Sequence, residues 1–329
     1  MEFRYSEVVD PSLFETDGLI TNKMVTLRRH KDSFSEIIGA FRAQRDWSEH
    51  VAPVHGYQGG LGEHFSFIRV TVPECLPERL EVVSYANEYA FLYDDEMEML
   101  DLKQLPDTGG PGILETFGTG VLDHNIEGSL GKLSSTKRLQ ARVLAEMIAI
   151  DAPRAKTTME AWARFVQLAS RTRLKAFDTL AQYIPARVID CGELIWFGTL
   201  TYGMGLTIPD DEYHLCMKLA RPGYVVLALT NDLYSWEKER QAAEQLDQDH
   251  VFNAIWVIMK ERGVDENEAK AICTEVTRDY IDEYCSIVER TRTDAALSKD
   301  VRAYIEAVLL SIAGNLVWSI YCPRYRQAL

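Results

Sequence analysis

Apolar residues recur three and four positions apart along most of this chain, the spacing that lines one face of an α-helix. Six stretches show it clearly: "DSFSEIIGAFRAQRDWSEHV", "PERLEVVSYANEYAFLYDDEMEML", "SSTKRLQARVLAEMIAI", "TMEAWARFVQLASRTRLKAFDTLAQYI", "EAKAICTEVTRDYIDEYCSIVERT" and "KDVRAYIEAVLLSIAGNLVWSIY". Alternating apolar and polar runs, the mark of strands, are scarce. Pro77 stands where a first helical turn tolerates it, and Ser134 and Thr157 are candidate N-caps. The pattern predicts an all-α helical bundle. Between Leu102 and Lys132 the chain turns rich in Gly and Pro, which predicts a long loop of the kind that often serves as a lid. No other composition shift marks a linker and no repeat is visible, so residues 1–329 read as one domain.

Composition narrows the partners. The chain has 329 residues, 47% of them hydrophobic, enough for a substantial core. Its net charge of −15 and pI near 5.0 repel polyanions, which argues against nucleic acid and anionic membrane. An anionic small substrate would need local positive charge. The six cysteines show neither CxxC pairing nor a disulfide framework and read as reduced thiols, favouring the cytoplasm. The start "MEFRYSEVVD" carries no secretory signal pattern. The apolar run 307–322, at 16 residues, falls short of the roughly 20 that span a bilayer and reads as a core helix rather than a stable membrane insertion.

Two polar clusters interrupt the apolar helices. In "YDDEMEMLD", residues 93–101, Asp94 and Glu98 share a helix face, Asp95 lies about 100° round, and the Asp94 face runs back through Phe91, Asn87, Val83 and Leu80. A solvated helix end and a metal site both account for so many carboxylates. In "LTNDLYSWEKER", residues 229–240, Asn231, Ser235 and Glu239 recur every fourth position along one side. Amide, hydroxyl and carboxylate oxygens are hard ligands suited to Mg²⁺, which characteristically takes one or two carboxylates and bridges to substrate phosphates. An ordinary amphipathic face would give the same spacing, but would not explain why the polar set follows the apolar run "GYVVLAL". Two such helices facing each other predict a cavity with apolar walls and a metal-ringed mouth, suited to a lipid-like diphosphate.

Here a resemblance becomes specific. "DDEME" resembles the aspartate-rich DDxxD/E motif of class I terpene cyclases, with Asp94, Asp95 and Glu98 in its ligand positions, and "NDLYSWEKE" is similar to their NSE motif at every defined position. The likeness extends over essentially the whole chain, most closely to the cyclase half of fungal chimeric terpene synthases. It implies a helical bundle around a central cavity, and Mg²⁺ as cofactor, three ions with bound diphosphate. It also implies that Arg187 senses the diphosphate, with Asp190 and Cys191 as the linker and effector positions after it. Arg324 and Tyr325 would bind diphosphate oxygens, and Lys238 would complete the cationic set. Helical phase aims Phe91 and Tyr224 at the cavity; Phe67 and Trp318 are added by the resemblance, with plain core packing an equal alternative for each aromatic.

The implied reaction is metal-triggered ionisation of an isoprenoid diphosphate followed by carbocation cyclisation. The resemblance favours a C20 substrate, geranylgeranyl diphosphate, and a 5-8-5 tricyclic hydrocarbon; a C25 substrate is the alternative. In chimeric relatives a prenyltransferase domain follows the cyclase, so a covalent partner domain is an expectation. A chain-elongating prenyltransferase would carry two aspartate-rich motifs, whereas this chain has one plus NSE, and a non-catalytic helical scaffold is the remaining alternative. "GSLGKLSSTK" lacks the P-loop's leading glycine, "PDDEYH" reads as an acidic helix start, and the seven scattered histidines offer no zinc spacing.

Overall fold

A computed structural model of the chain describes residues 1–98 apart from 55 and 58, then 135–169, 172 and 175–325; of residues 96–98 it describes the backbone only. The predicted 102–132 loop and the Ser134 cap lie outside these residues. Among the described residues ten α-helices account for most of the fold: α1 (Phe34–His50), α2 (Phe67–Thr71), α3 (Pro77–Glu98), α4 (Ser135–Ala169), α5 (Leu180–Asp190), α6 (Glu193–Met204), α7 (Asp210–Gln245), α8 (Ala254–Arg262), α9 (Glu266–Arg292) and α10 (Lys299–Tyr321). A small antiparallel ribbon pairs β1 (Ser6–Val8) with β2 (Arg28–His30), Glu7 opposite Arg29. It is pinned by Glu74, whose carboxylate accepts the N–H groups of Arg4 at 2.8 Å and Ser6 at 2.9 Å.

α10 is the central rod. All but the last residue of the 16-residue apolar run lies in a helix of 23, long and apolar enough to cross a membrane by length and composition, yet 89% of its most apolar window is buried among its neighbours. It packs against α7, α9 and α2. The crossing with α2 is close because position 314 is glycine: a Cβ there would lie 2.1 Å from the Val70 carbonyl oxygen. On the other side of the bundle α1 packs along α3, and α4 packs along α6.

Two local expectations change. The segments 134–150 and 158–184 do not form two separate helices among the described residues; the helix from Ser135 runs on through a kink to Ala169, and the next described helix starts at Leu180. The kink is at Asp151, which leaves helical geometry and accepts the Arg154 N–H at 3.3 Å, while Pro153 sits in the turn that follows, where its missing N–H costs nothing. Asp151 therefore caps this restart; Thr157 lies inside the helix, its hydroxyl donating to the Pro153 carbonyl at 3.4 Å. At the other break the cap is Thr179, whose hydroxyl accepts the Gln182 N–H. α7 does start on Asp210, Asp211 and Glu212, where the helix dipole favours negative charge.

Candidate active site

Three helix ends and one helix face converge on a cavity of about 60 Å³. α3 brings Asp94 and Asp95 in its last turn, α5 brings Arg187, and α7 brings Asn231, Ser235, Lys238 and Glu239 along one side. The fourth contribution is a short 3₁₀ turn after α10, Pro323–Tyr325, which carries Arg324 and Tyr325. The cavity is lined by Phe91, by the oxygen-bearing residues Asp94, Asn231, Ser235 and Glu239, and by Arg187, Lys238, Arg324 and Tyr325.

On α7 the four-residue spacing makes a chain of oxygens. Ser235 Oγ donates to Glu239 Oε1 at 2.8 Å and lies 3.5 Å from Asn231 Oδ1. Asn231 Nδ2 donates to the Tyr325 hydroxyl at 2.6 Å, which turns the amide oxygen toward the same side. Desolvation raises the Glu239 carboxyl above the ordinary glutamate range, against the pull of Arg187. The donor set contains only oxygens and includes a half-buried carboxylate, a fit for Mg²⁺ and a poor fit for a soft metal.

Arg187 is almost wholly buried and held on three sides: Nε donates to Asp232 Oδ1 at 2.7 Å, Nη1 to Asp190 Oδ2 at 2.6 Å, and Nη2 to Asn231 Oδ1. Desolvation opposes its charge, but the surrounding carboxylates, Asp232 foremost, hold its pKa well above the ordinary value. Asp190 is thus tied directly to Arg187, and Thr172 Oγ1 donates to its other oxygen at 3.2 Å. Cys191 ends α5 as its C-cap, its N–H donating to the Arg187 carbonyl at 2.7 Å, and Gly192 at φ +88° turns the chain into α6.

Asp94 and Asp95 differ. Asp95 accepts Arg324 Nη1 at 2.5 Å on one oxygen, and Arg324 Nη2 and Lys238 Nζ, each at 2.7 Å, on the other. Asp94 lines the cavity, with Arg324 Nη2 3.7 Å from its Oδ2. Desolvation would strip the proton from buried Arg324, yet Asp95 more than offsets this and raises its pKa. Glu98 is in the helix, but its side chain lies outside the described residues.

Four aromatic rings stack beneath this polar end. The Phe67 ring centroid is 4.7 Å from Trp318, 5.2 Å from Phe91 and 5.6 Å from Trp196, and Phe91 lies parallel to Trp318 at 5.5 Å. The rings touch one another and form a continuous apolar surface below the polar end. Contact buries more apolar area than separation does.

Tyr224 is not in this group, which corrects the phase argument. Two turns before Asn231 it faces the same side of α7, but there it is covered by α9 and α10: its hydroxyl pairs with that of Tyr304, and Tyr284 packs at the adjacent Gly223. Sequence reasoning also missed Asp232 and Asn253. Buried Asp232 accepts Arg187, the Tyr183 hydroxyl at 2.7 Å and the Ala254 N–H at 3.0 Å; Asn253 caps α8 and donates to Glu239 Oε2 at 2.8 Å. Asp232 stands inside the NSE stretch, and its phase, off the ligand side, was the available signal. Nothing in the sequence pointed to Asn253.

Residues 127–283 match the family described as terpene synthase family 2, C-terminal metal binding. The chain is 45% identical over 333 residues to fusicoccadiene synthase of Phomopsis amygdali, covering 99% of this chain and 45% of that protein. The chain is similar to terpene synthases along nearly its whole length. It is also 44% identical to a bifunctional type I diterpene synthase of Aspergillus flavipes (99% of this chain, 42% of that protein) and 39% identical to a bifunctional sesterterpene synthase of Aspergillus aculeatus (99% and 45%). It therefore spans less than half the length of these relatives. Among solved structures, aristolochene synthase from Penicillium roqueforti superposes with a TM-score of 0.67 at 19% identity, covering 87% of this chain and 95% of that one. Wild-type cucumene synthase superposes with a TM-score of 0.65 at 15% identity, covering 89% and 97%. The fold is that of class I terpene synthases. The family match takes in Arg187 and the NSE motif; Asp94 precedes it and Arg324 follows it.

Proposed function

We propose that this chain is a Mg²⁺-dependent class I terpene cyclase that ionises geranylgeranyl diphosphate and closes the resulting allylic cation into a polycyclic hydrocarbon. The observation that carries the reading is the convergence, around one small polar cavity floored by aromatic rings, of an oxygen donor set on two helices and three cations. A diphosphate needs both halves: cations at its terminal oxygens, and an apolar surface for the chain it leaves.

Asp94, Asn231, Ser235 and Glu239 would hold Mg²⁺. The metal, once bound, would supply charge stabilisation for the departing diphosphate. The protein's own contribution is preorganised positive charge. Arg187, Lys238 and Arg324 are each fixed by a carboxylate, so their charges stand at the cavity without reorganising as negative charge develops on the leaving group. Tyr325, oriented by Asn231, adds a hydroxyl at the same face. Phe91 stands between the polar end and the rings, Arg324 above one face of it at 5.0 Å and Trp318 parallel to it. Its π-surface would stabilise a cation that has just left the diphosphate, and the packed rings exclude water that would quench it. The local charge answers the question raised by the net −15: the anion is met by a cationic pocket inside an acidic protein.

Relatives named as diterpene and as sesterterpene synthases stand at 44% and 39% identity, which favours the C20 substrate over C25. The name of the fusicoccadiene synthase relative favours a fusicoccadiene-type 5-8-5 product. The half-length coverage and the relatives named bifunctional favour a prenyltransferase domain as covalent partner in the full protein. Incubation with C15, C20 and C25 all-trans prenyl diphosphates, with Mg²⁺ or with EDTA, tests the reading. A cyclic hydrocarbon from the C20 substrate in Mg²⁺ alone is expected; elongated diphosphates, or no reaction with any substrate, would overturn it.

A further inference from the structure

Beneath the aromatic rings lies a buried carboxylate that the ionisation chemistry does not use. Glu88 is 1% exposed, on the same face of α3 as Phe91 and one turn before it. Its Oε2 accepts the Gly60 N–H at 2.8 Å and its Oε1 accepts Gln44 Nε2, from α1, at 2.6 Å. The Gly60 carbonyl in turn accepts two donors: the Phe67 N–H at 2.8 Å and the Trp318 indole N–H at 2.9 Å. One glycine therefore joins α2, α3 and α10 close to where their three rings meet.

The fit leaves no room for side chains. A Cβ on Gly59 would lie 2.0 Å from Glu88 Oε1, and one on Gly60 would lie 3.2 Å from the Phe91 ring and 3.4 Å from Phe67 Cβ. The loop is pressed onto the carboxylate on one side and onto the rings on the other. A residue needed only to fill the core would be apolar, because burying a carboxylate costs heavily unless its hydrogen bonds are specific. What Glu88 adds is direction: it fixes the backbone of Gly60, and that backbone fixes where the Trp318 indole and the Phe67 N–H can sit.

We propose that Glu88, acting through Gly60, is a positioning residue that sets the arrangement of Phe67, Phe91 and Trp318 and so determines which hydrocarbon the enzyme releases. The inference rests on the cyclase reading above and adds a specificity element outside the metal and diphosphate sites. Ring positions decide which carbon of a cation is stabilised at each stage, so a small displacement redirects the cation without preventing its formation.

The test separates ionisation from product choice. Wild type, Glu88→Ala, Glu88→Gln and Trp318→Phe are incubated with geranylgeranyl diphosphate and Mg²⁺; inorganic diphosphate release and the hydrocarbon profile are read from the same reactions, with circular dichroism to match folded protein. Glu88→Ala should keep diphosphate release within about tenfold of wild type while a different hydrocarbon becomes the major product. Glu88→Gln, whose amide oxygen still accepts the Gly60 N–H, should keep the wild-type major product. Trp318→Phe retains a ring but loses the donor to Gly60, and should change the profile even if Glu88→Ala does not fold. An unchanged profile in Trp318→Phe and in folded Glu88→Ala, or slower release at unchanged product ratios, overturns the proposal. A wild-type protein that releases no diphosphate overturns the cyclase reading, and this inference with it.

Discussion

Asp94 and Asp95 are neighbours of identical chemistry, and tertiary contacts give them separate roles. Asp95 is saturated by Arg324 and Lys238, which ties the end of α3 to α7 and to the C-terminal turn. Asp94 lines the cavity together with Asn231, Ser235 and Glu239 of α7. Steady-state kinetics with Mg²⁺ titration should therefore distinguish them. Asp94→Ala is expected to lower kcat by about 10²–10³-fold, the scale for losing one preorganised electrostatic partner of a developing charge, and to weaken the Mg²⁺ dependence. Asp95→Ala should raise KM for the diphosphate, because it releases Arg324 from its anchor, and leave the Mg²⁺ midpoint nearer to wild type. Equal effects on both parameters from both variants would refute the division. At this scale the sequence was legible where spacing along one helix carries the chemistry, as in Asn231, Ser235 and Glu239. It was silent where a role comes from a contact between distant segments, as for Asn253 on Glu239 or Glu88 on Gly60. Tyr224 shows the limit of helical phase: a face is continuous along α7, but its neighbours change along its length.

The helices themselves were readable because burial repeats with the helical period. Their junctions were not, since the kink at Asp151 depends on a carboxylate that also accepts Arg79 Nη2 at 2.7 Å, from α3. Closeness between elements is equally hidden in a sequence until the partner is known. Gly314 is a case in point, since only the crossing of α2 over α10 gives it a reason. Gly314→Ala should lower stability by about 1–3 kcal/mol, the usual cost of overpacking a filled core, because its methyl group would meet backbone rather than a movable side chain. Thermal or denaturant unfolding measures this; a variant of wild-type stability would mean that α2 and α10 can separate freely. Since α2 carries Phe67 and α10 carries Trp318, the same substitution should also disturb the product profile.

For the molecule as a whole, pH enters through a group remote from the cavity mouth. Glu36 on α1 is 2% exposed, accepts the Arg69 N–H at 2.8 Å on one oxygen, and has no hydrogen-bond partner on the other among the described residues. Desolvation pushes its carboxyl up from 4.5 to about 8. The folded state then holds a proton that the unfolded chain releases, so between those two values stability falls as pH rises. Melting temperatures from about pH 6 to pH 8.5 should decline in wild type and decline less in Glu36→Gln; identical slopes would show that Glu36 is ionised in the fold. Net charge, by contrast, pointed only to what the protein avoids; the cations at the cavity, Arg187, Lys238 and Arg324, were named by the family resemblance and not by composition. The central claim is that this cavity ionises a prenyl diphosphate on an oxygen-ligated metal. It is tested most directly by measuring Mg²⁺-dependent release of inorganic diphosphate from geranylgeranyl diphosphate by wild type and by Asn231→Ala, with circular dichroism as the control for folding. Release by wild type, accompanied by a cyclic hydrocarbon and lost in a folded Asn231→Ala protein, is the predicted result; Mg²⁺-dependent release undiminished in Asn231→Ala would contradict it.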